Sequence, residues 1–263
     1  MASTVMPVET PQGRGRFFVD AAEQPSSILV LGHGAGGGIS AIDLEMLAQS
    51  LPLLGTTVVR FEQPWRTAGR SGAPPPKLDQ AWCAALDWLV DQEWAQGQLL
   101  VGGRSAGARV ACRTASQTNP AAVVCLAFPL HPPGRPEKSR VSELLAPSVP
   151  RLVLQGSKDS FGTPEEIRAA IGKARDVSVV ELPGADHAFR IARRRAKEER
   201  ADNASPSASD DAEGGTKARS AASGASHPTL IQKSSPFSPA DLRTTVVAEV
   251  SGFIEAVAGI STS

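Results

Sequence analysis

The chain has no excess of charge of either sign, and its few cysteines form no ligand or disulfide pattern. Lysine plus arginine and aspartate plus glutamate each number 27 in 263 residues, so no overall field attracts nucleic acid or anionic lipid. Cys83, Cys112 and Cys125 form no CxxC pair and lie in apolar patterns. This predicts buried free thiols rather than a zinc site or a disulfide framework, and it favours a reducing compartment.

Long apolar runs and a secretory leader are also missing. No apolar run reaches the roughly 18 residues that a membrane span needs. Residues 1–15 lack the charged and then apolar pattern of a signal peptide. We therefore expect a soluble, cytoplasmic protein that binds no nucleic acid and has no membrane span.

What the chain does have is a regular alternation of short apolar segments with amphipathic ones. Strands are predicted in the segments 14–20, 26–38, 56–61, 98–103, 121–130, 149–159 and 177–187. Three of these segments include the turn that follows the strand: 26–38, where the turn is rich in glycine, 149–159 and 177–187. Helices are predicted over about 44–51, 79–95, 105–116, 163–174 and 239–259. The alternation predicts an α/β fold with a mostly parallel central sheet and helices on both faces. Loops are predicted at 63–77, which is rich in proline, and at 131–148, which is too short for a large lid.

The ends of the chain and one internal segment depart from this alternation. Residues 1–14 are predicted to be a flexible lead, and 15–263 a single domain. Residues 190–236 interrupt that domain, and from about 196 they are rich in Ser, Ala, Gly and Asp, which predicts a disordered insertion at about 196–236. The insertion is interpreted as a tolerated loop, with protein-partner binding through 190–236 as the alternative.

A serine lies between two glycines at the end of one predicted strand. Gly103-Arg104-Ser105-Ala106-Gly107 is a GxSxG pentapeptide that follows a strand and opens a helix. On so tight a turn the serine hydroxyl projects above the sheet, with the positive end of the helix beneath it. Ser105 is therefore a candidate nucleophile.

A serine hydroxyl needs a base, and the base needs a group that fixes its tautomer. His187 follows the last predicted strand, and Asp159 follows the strand before it. The chain order Ser105, Asp159, His187 is one known order of the Ser-His-Asp triad. For Asp159, turn formation is the alternative; Asp186, as the direct neighbour of His187, is interpreted as a turn residue.

The glycine-rich stretch LGHGAGGG at 31–38 supplies candidate oxyanion donors. The backbone N–H groups of Ala35 and Ala106 are predicted to face the oxyanion of an acyl-transfer intermediate. The alternative is nucleotide binding, because Gly32, Gly34 and Gly37 also match GxGxxG and Glu62 follows the next strand.

Four further residues are candidates for a substrate pocket that takes a small acyl compound. His33 is interpreted mainly as a structural residue of its loop, and Trp65 as part of a proline-rich wall. Arg104 either attracts an anionic substrate or pairs with a carboxylate. His131 either lines the pocket or is a loop histidine with satisfied hydrogen bonds.

With these stretches in view, the chain resembles the α/β-hydrolase superfamily and, within it, the dienelactone-hydrolase-related group. It is similar there to the branch that holds a testis-expressed hydrolase-like protein and a subunit of a histone-acetyltransferase complex. The matching stretches are LGHGAGG (31–37), GGRSAGARVA (102–111), FPLHPPGRP (128–136), LQGSKD (154–159) and GADHAF (184–189). The resemblance implies an α/β-hydrolase fold, the same three catalytic residues and no cofactor.

Together these features predict a serine hydrolase that acts on carboxylic esters or thioesters through an acyl-enzyme. The alternative is a catalytically silent interaction module that has kept the fold.

Overall fold

The protein is described here from a computed structural model that defines residues 3–191 and 237–260. Eight strands form one sheet in the order β1-β2-β4-β3-β5-β6-β7-β8. The strands are β1 (Thr4–Thr10), β2 (Gly13–Asp20), β3 (Ser27–Gly32), β4 (Thr56–Glu62), β5 (Gln98–Arg104), β6 (Ala122–Leu126), β7 (Arg151–Gly156) and β8 (Val177–Leu182). β1 and β2 pair antiparallel with each other, and β2 pairs antiparallel with β4. Every neighbouring pair from β4 to β8 runs parallel.

The helices of the described residues cover both faces of this sheet. They are α1 (Ile42–Ser50), α2 (Pro64–Thr67), α3 (Pro75–Val90), α4 (Ala106–Thr118), α5 (Val141–Leu145), α6 (Pro164–Ile171) and α7 (Pro239–Ile260). Side chains alternate along a strand, so Ile28 and Val30 of β3 pack in the core on the side of α3 and α4. Leu29 and Leu31 pack in a second core with α1 and α7. The predicted α/β architecture, with a mostly parallel sheet between two helical layers, is confirmed.

The expected flexible lead at 1–14 is wrong for its central part. Residues Thr4–Thr10 form β1, which pairs along its whole length with β2. Val8 is buried in the core on the side of α3 and α4. Gly13, with φ at 107°, allows the tight turn between β1 and β2. β1 has a single buried side chain and contains Pro7, so its strand character depends on a partner that its own pattern does not reveal.

Several boundaries also differ from the sequence prediction. The helix expected at 79–95 is α3, which begins at Pro75, because proline fits the first turn of a helix, and ends at Val90. The strand expected at 121–130 ends at Leu126, since Ala127 has φ at 50° and turns the backbone out of the sheet. The loop expected at 131–148 contains the five-residue α5 and no other helix or strand, which fits the expected minimal lid.

The cysteines are free, as expected, but only two of them are buried. Cys112 and Cys125 lie in the core with their Sγ atoms 3.5 Å apart. Cys83 is partly exposed, and burial together with Asp79 and Asp87 raises the pKa of its thiol to about 11.

The predicted insertion at 196–236 lies outside the described residues, as do residues 192–195 next to it. In the part of the chain that is described, no helix is both long enough and apolar enough to cross a membrane.

Candidate active site

Ser105 sits on the sharp connection between β5 and α4. Its backbone has φ at 52° and ψ at −110°, a conformation that non-glycine residues rarely adopt. Such strain costs of the order of 1–3 kcal/mol and collects at functional sites. A Cβ on Gly103 or Gly107 would strike the backbone of Gly32 in β3. The two glycines are therefore required by the close approach of β5, α4 and β3.

The side chains of Ser105, His187 and Asp159 meet at this edge of the sheet. His187 Nε2 lies 2.9 Å from Ser105 Oγ, and His187 Nδ1 lies 2.7 Å from Asp159 Oδ2. Since an ionised carboxylate can only accept, Nδ1 carries the proton and Nε2 is free to accept the serine proton. The structure thus brings together all three residues expected from their chain order.

The Asp159 carboxylate is completely enclosed and has two further partners. Gln155 Nε2 donates to its Oδ2 at 2.8 Å, and the backbone N–H of Phe161 donates to its Oδ1 at 2.8 Å. These bonds fix the carboxylate in the plane that faces the imidazole.

The loops that follow β7 and β8 hold Asp159 and His187 in mutual register. The Lys158 N–H donates to the carbonyl of Ala185 at 2.9 Å, and the Gly184 N–H donates to Ser157 Oγ at 2.8 Å. On the imidazole itself, the Phe161 ring stacks with a centroid distance of 4.1 Å. The base is therefore positioned by two loops and an aromatic ring.

Asp186 does not contact the imidazole, as expected for a turn residue. Its carboxylate accepts from the backbone N–H groups of Ala188 and Arg190, at 2.8 and 2.9 Å.

The loop with Ala35 lies beside the serine. A Cβ built on the neighbouring Gly34 would be 3.4 Å from Ser105 Cβ. Ala106 is the first residue of α4, so its N–H has no acceptor within the helix. Both alanines line one cavity. Their role as oxyanion donors stays a prediction.

His33 is tied into its own loop. Its Nε2 accepts the backbone N–H of Gln63 at 3.1 Å, so Nδ1 carries the proton and donates to the carbonyl of Gly34 at 2.7 Å. Burial lowers the pKa of His33, although the bond to Gly34 opposes this. The side chain also touches the edge of Trp65, and both line the same cavity.

Arg104 is buried rather than free at the mouth of the site. Its Nε lies 3.0 Å from Oδ2 of Asp43, and its NH2 group donates to the backbone carbonyl of His187. Burial raises the pKa of Asp43, and Arg104 opposes the rise. Two roles were considered for Arg104, and the structure contains the pairing with a carboxylate.

His131 lies near the start of α6, and its backbone N–H donates to the carbonyl of Phe161 at 3.0 Å. Its Nδ1 is 3.0 Å from the carbonyl of Pro132, and its Nε2 is 3.6 Å from Glu166. It lines neither of the two spaces described next. It lies in a loop, but its Nε2 is buried without a hydrogen-bond partner among the described residues, so both interpretations of His131 stay predictions.

Two spaces lie near Ser105, and Ser105 itself lines the outer one. The inner cavity has a volume of about 190 Å³. Its lining includes the buried His33, Gln63, Trp65, Trp82 and Val110 together with the more exposed Ala35 and Ala106. The outer groove has a volume of about 640 Å³ and includes Ser105, His187 and the exposed Lys158 and Ser160. Ala35 lines both, so the two spaces meet beside the serine.

The nucleotide-binding alternative finds no support in the position of Glu62. Its carboxylate is buried and accepts from Arg16 Nε at 2.8 Å and from Thr67 Oγ1 at 3.3 Å, and it is therefore not free for a ribose. Across residues 3–191 and 237–260, no group of three or more His, Cys, Asp or Glu side chains is arranged to hold a metal ion.

Sequence reasoning missed three residues that support the site. Gln155 and Phe161 flank Asp159 closely in the chain, but neither type signals an active site by itself. Asp43 is far along the chain from Arg104, and an acidic residue in the first turn of a helix is ordinarily a surface feature.

Several solved structures resemble this chain at low sequence identity. An α/β serine hydrolase without lid from Xanthomonas campestris is 24% identical, with a TM-score of 0.58, over 72% of this chain and 87% of that one. Dienelactone hydrolase from Anabaena variabilis is 18% identical, with a TM-score of 0.57, over 71% and 88%. Est1E from Butyrivibrio proteoclasticus is 14% identical, with a TM-score of 0.59, over 71% and 91%. At these identities the likeness shows the fold, which is the α/β-hydrolase fold.

The family of the chain is established by its amino-acid sequence. Residues 25–213 match the model of the alpha/beta hydrolase domain, which is more than half of the chain and includes Ser105, Asp159 and His187. The chain belongs to the alpha/beta hydrolase domain family.

Proposed function

We propose that the protein hydrolyses carboxylic esters or thioesters through an acyl-enzyme on Ser105. The observation that carries the proposal is the continuous chain of contacts from Asp159 through His187 to Ser105, at 2.7 and 2.9 Å. A serine at hydrogen-bond distance from an oriented imidazole is the arrangement that nucleophilic acyl transfer needs.

The first half-reaction forms the acyl-enzyme. His187 Nε2 takes the hydroxyl proton as Ser105 Oγ attacks the acyl carbon, and the carbonyl oxygen becomes an oxyanion. The N–H groups of Ala35 and Ala106 donate to that oxygen. As the tetrahedral intermediate collapses, the imidazolium gives its proton to the leaving oxygen or sulfur, and the alcohol or thiol departs.

The second half-reaction uses water in the same way. His187 takes a proton from water while the hydroxide attacks the acyl carbon. The intermediate then collapses, Ser105 Oγ recovers the proton from His187, and the carboxylic acid leaves. Asp159 stays ionised throughout and stabilises the imidazolium.

The surroundings of His187 support a rigid base. Phe161 covers one face of the ring, and Arg104 binds the carbonyl of the same residue. A base held in one orientation keeps its proton transfer aligned, which is worth orders of magnitude in rate.

The similar proteins support hydrolysis in general terms. They include a serine hydrolase, a dienelactone hydrolase and the esterase domain of a Rhodothermus marinus protein. The narrower resemblance, to the branch of the testis-expressed hydrolase-like protein and the histone-acetyltransferase-complex subunit, stays part of this proposal and rests on the motifs at 31–37, 102–111 and 128–136.

The proposal is tested by hydrolysis of p-nitrophenyl butyrate. We expect Ser105→Ala to remove activity to the background rate. Ser160→Ala is the matched control, because Ser160 lines the same outer groove and has an exposed side chain. We expect it to retain activity within about threefold, since a surface substitution changes little. Equal activity of the wild type and Ser105→Ala would refute the proposal.

A further inference from the structure

Two adjacent leucines are exposed on the short turn between α1 and β4. The turn is Leu51–Leu54, in which Leu53 is 80% exposed and Leu54 is 56% exposed. Among the described residues, Leu53 is the most exposed of the large apolar side chains. A single exposed leucine is ordinary, but neighbouring apolar side chains that form a patch are typical of a contact surface.

Leu53 stands between two depressions of the protein surface. The first has a volume of about 350 Å³ and extends to Gln49 of α1. The second has a volume of about 460 Å³ and extends to Glu23. Ala21, Pro52 and Leu53 line both depressions and therefore separate them. A protruding side chain with a hollow on each side is a shape that a second copy of the same surface can match.

Opposite charges flank Leu53. Arg243 of α7 is exposed, and its guanidinium donates to Gln49 Oε1 and Ser50 Oγ, both at 3.2 Å, at the end of the first depression. Glu23 is exposed at the second depression. Neither charge has an ion-pair partner among the residues that the structure describes. Leu53, the two depressions and these two charges together form the Leu53 surface.

A two-fold axis places each feature of the Leu53 surface against its complement. In a dimer in which the same surface meets itself, a residue at one end contacts the residue at the other end of the partner. When the axis crosses the line from Arg243 to Glu23 near Leu53, each Glu23 faces the partner's Arg243, and the two Leu53 side chains meet at the centre. An axis along that line would instead set like charges against each other, which disfavours that arrangement.

The Leu53 surface lies at the opposite end of the sheet from the candidate active site. The Ser26 N–H donates to the carbonyl of Gly55 at 2.9 Å, directly before β3 and β4 begin. Ser105 follows the carboxyl end of β5, which runs parallel to β3. A second copy bound at the Leu53 surface therefore leaves the outer groove open, and the inference does not depend on the proposed function.

We propose that the Leu53 surface is the interface of a homodimer with two-fold symmetry. The apolar centre at Leu53 supplies most of the affinity, because apolar side chains at the centre of an interface are fully removed from water. The two pairs between Glu23 and the partner's Arg243 fix the orientation of the copies, since charges at the rim contribute more to specificity than to affinity.

The oligomeric state of the full chain is measured by sedimentation equilibrium. We expect the wild type to dimerise reversibly. We expect Leu53→Asp to raise the Kd of the dimer at least about tenfold, because it places a carboxylate at the apolar centre in both copies.

Val90→Asp is the matched control for that substitution. Val90 is 58% exposed at the end of α3, which packs on the opposite face of the sheet from α1. We expect it to leave the Kd of the dimer unchanged. Because Leu53 and Val90 are both exposed, both variants are expected to fold, and circular dichroism verifies this.

Charge reversal tests the orientation of the two copies. Glu23→Arg sets two arginines against each other, and we expect it to raise the Kd about tenfold at low salt and less at high salt. Arg243→Glu is expected to have the same effect, because it sets two glutamates against each other. The double variant exchanges the two charges and restores the pairs, so we expect its Kd to lie within about threefold of the wild-type value.

Three results would overturn the dimer. They are a wild type that remains monomeric at about 100 µM, a Kd that Leu53→Asp leaves unchanged, and a double charge variant that is no tighter than either single variant. Any of these leaves the proposed hydrolysis standing. Conversely, a wild type that dimerises as described but hydrolyses no ester contradicts only the proposed function.

Discussion

Arg104 and Asp43 form a buried ion pair directly behind the loop that carries His187. Nε of Arg104 lies 3.0 Å from Oδ2 of Asp43, and both side chains are at least nine-tenths buried. The same guanidinium donates to the carbonyl of His187. The residue that precedes the candidate nucleophile thus holds the backbone of the candidate base.

This relationship predicts a large loss of stability when one partner is removed. Arg104→Met leaves the Asp43 carboxylate buried without its counter-charge, and we expect a loss of about 3–5 kcal/mol in the free energy of unfolding. Urea denaturation measures it. In the double variant with Asp43→Asn, the loss is expected to be smaller than the sum of the two single losses, because neither charge is then left alone. Strict additivity would show that the two residues do not interact.

Asp159→Asn tests how the tautomer of His187 is held. An asparagine amide can donate to Nδ1 and so favour the tautomer in which Nε2 carries the proton and cannot accept one from Ser105. We expect kcat for an ester to fall by about 10³–10⁴ while the fold is retained. The control is Asp186→Asn, since that carboxylate lies next to His187 in the chain but bonds backbone N–H groups instead of the imidazole. Similar losses in the two variants would contradict the assignment of Asp159.

Gly107→Ala tests the close approach of α4 to β3. An added Cβ at position 107 would strike the backbone carbonyl of Gly32. We expect a loss of about 1–3 kcal/mol in the free energy of unfolding, as for other overpacked positions, and a lower kcat because Ser105 must shift. Thermal unfolding and ester hydrolysis measure the two effects.

Gly252→Ala is the matched control for that substitution. Gly252 is exposed on α7, and an added Cβ would have no heavy atom within 4 Å. Because alanine favours the helix over glycine, we expect a gain of about 0.5–1 kcal/mol with unchanged activity. A loss of stability at position 252 as large as that at 107 would remove the steric explanation.

Glu143 is expected to make the free energy of unfolding depend on pH in the acid range. Burial raises the pKa of this carboxyl, but hydrogen bonds and charges from Arg109 and Arg113 outweigh it, so the pKa lies below its usual value of 4.5. A lowered pKa in the folded state means that the stabilisation is fully present above pH 4.5 and is lost as the pH falls through the folded-state pKa. We expect Glu143→Gln to cost roughly 1–2 kcal/mol at pH 7 and progressively less at lower pH. Urea denaturation from pH 7 to pH 3 measures the difference; a cost that is independent of pH would exclude this linkage.

The sequence predicts the layered architecture well because each parallel strand is a short apolar run bounded by turn residues. The same regularity locates Ser105, Asp159 and His187, since each follows its own strand and the carboxyl ends of parallel strands share one edge. β1 escaped prediction because it contains Pro7, buries only one side chain and is stabilised by its pairing with β2.

The supporting groups of the site could not be predicted for a related reason. The partner of Arg104 depends on where α1 packs, and Asp43 has the sequence signature of a common helix-start acid.

Covalent labelling tests the central claim most directly. The protein is incubated with a fluorophosphonate, digested, and the modified residue is identified by mass spectrometry. The account predicts a single phosphonylated site at Ser105, strongly reduced labelling in His187→Ala, and none in Ser105→Ala. A folded wild-type protein that remains unmodified, or that is modified at Ser160 instead, would contradict it.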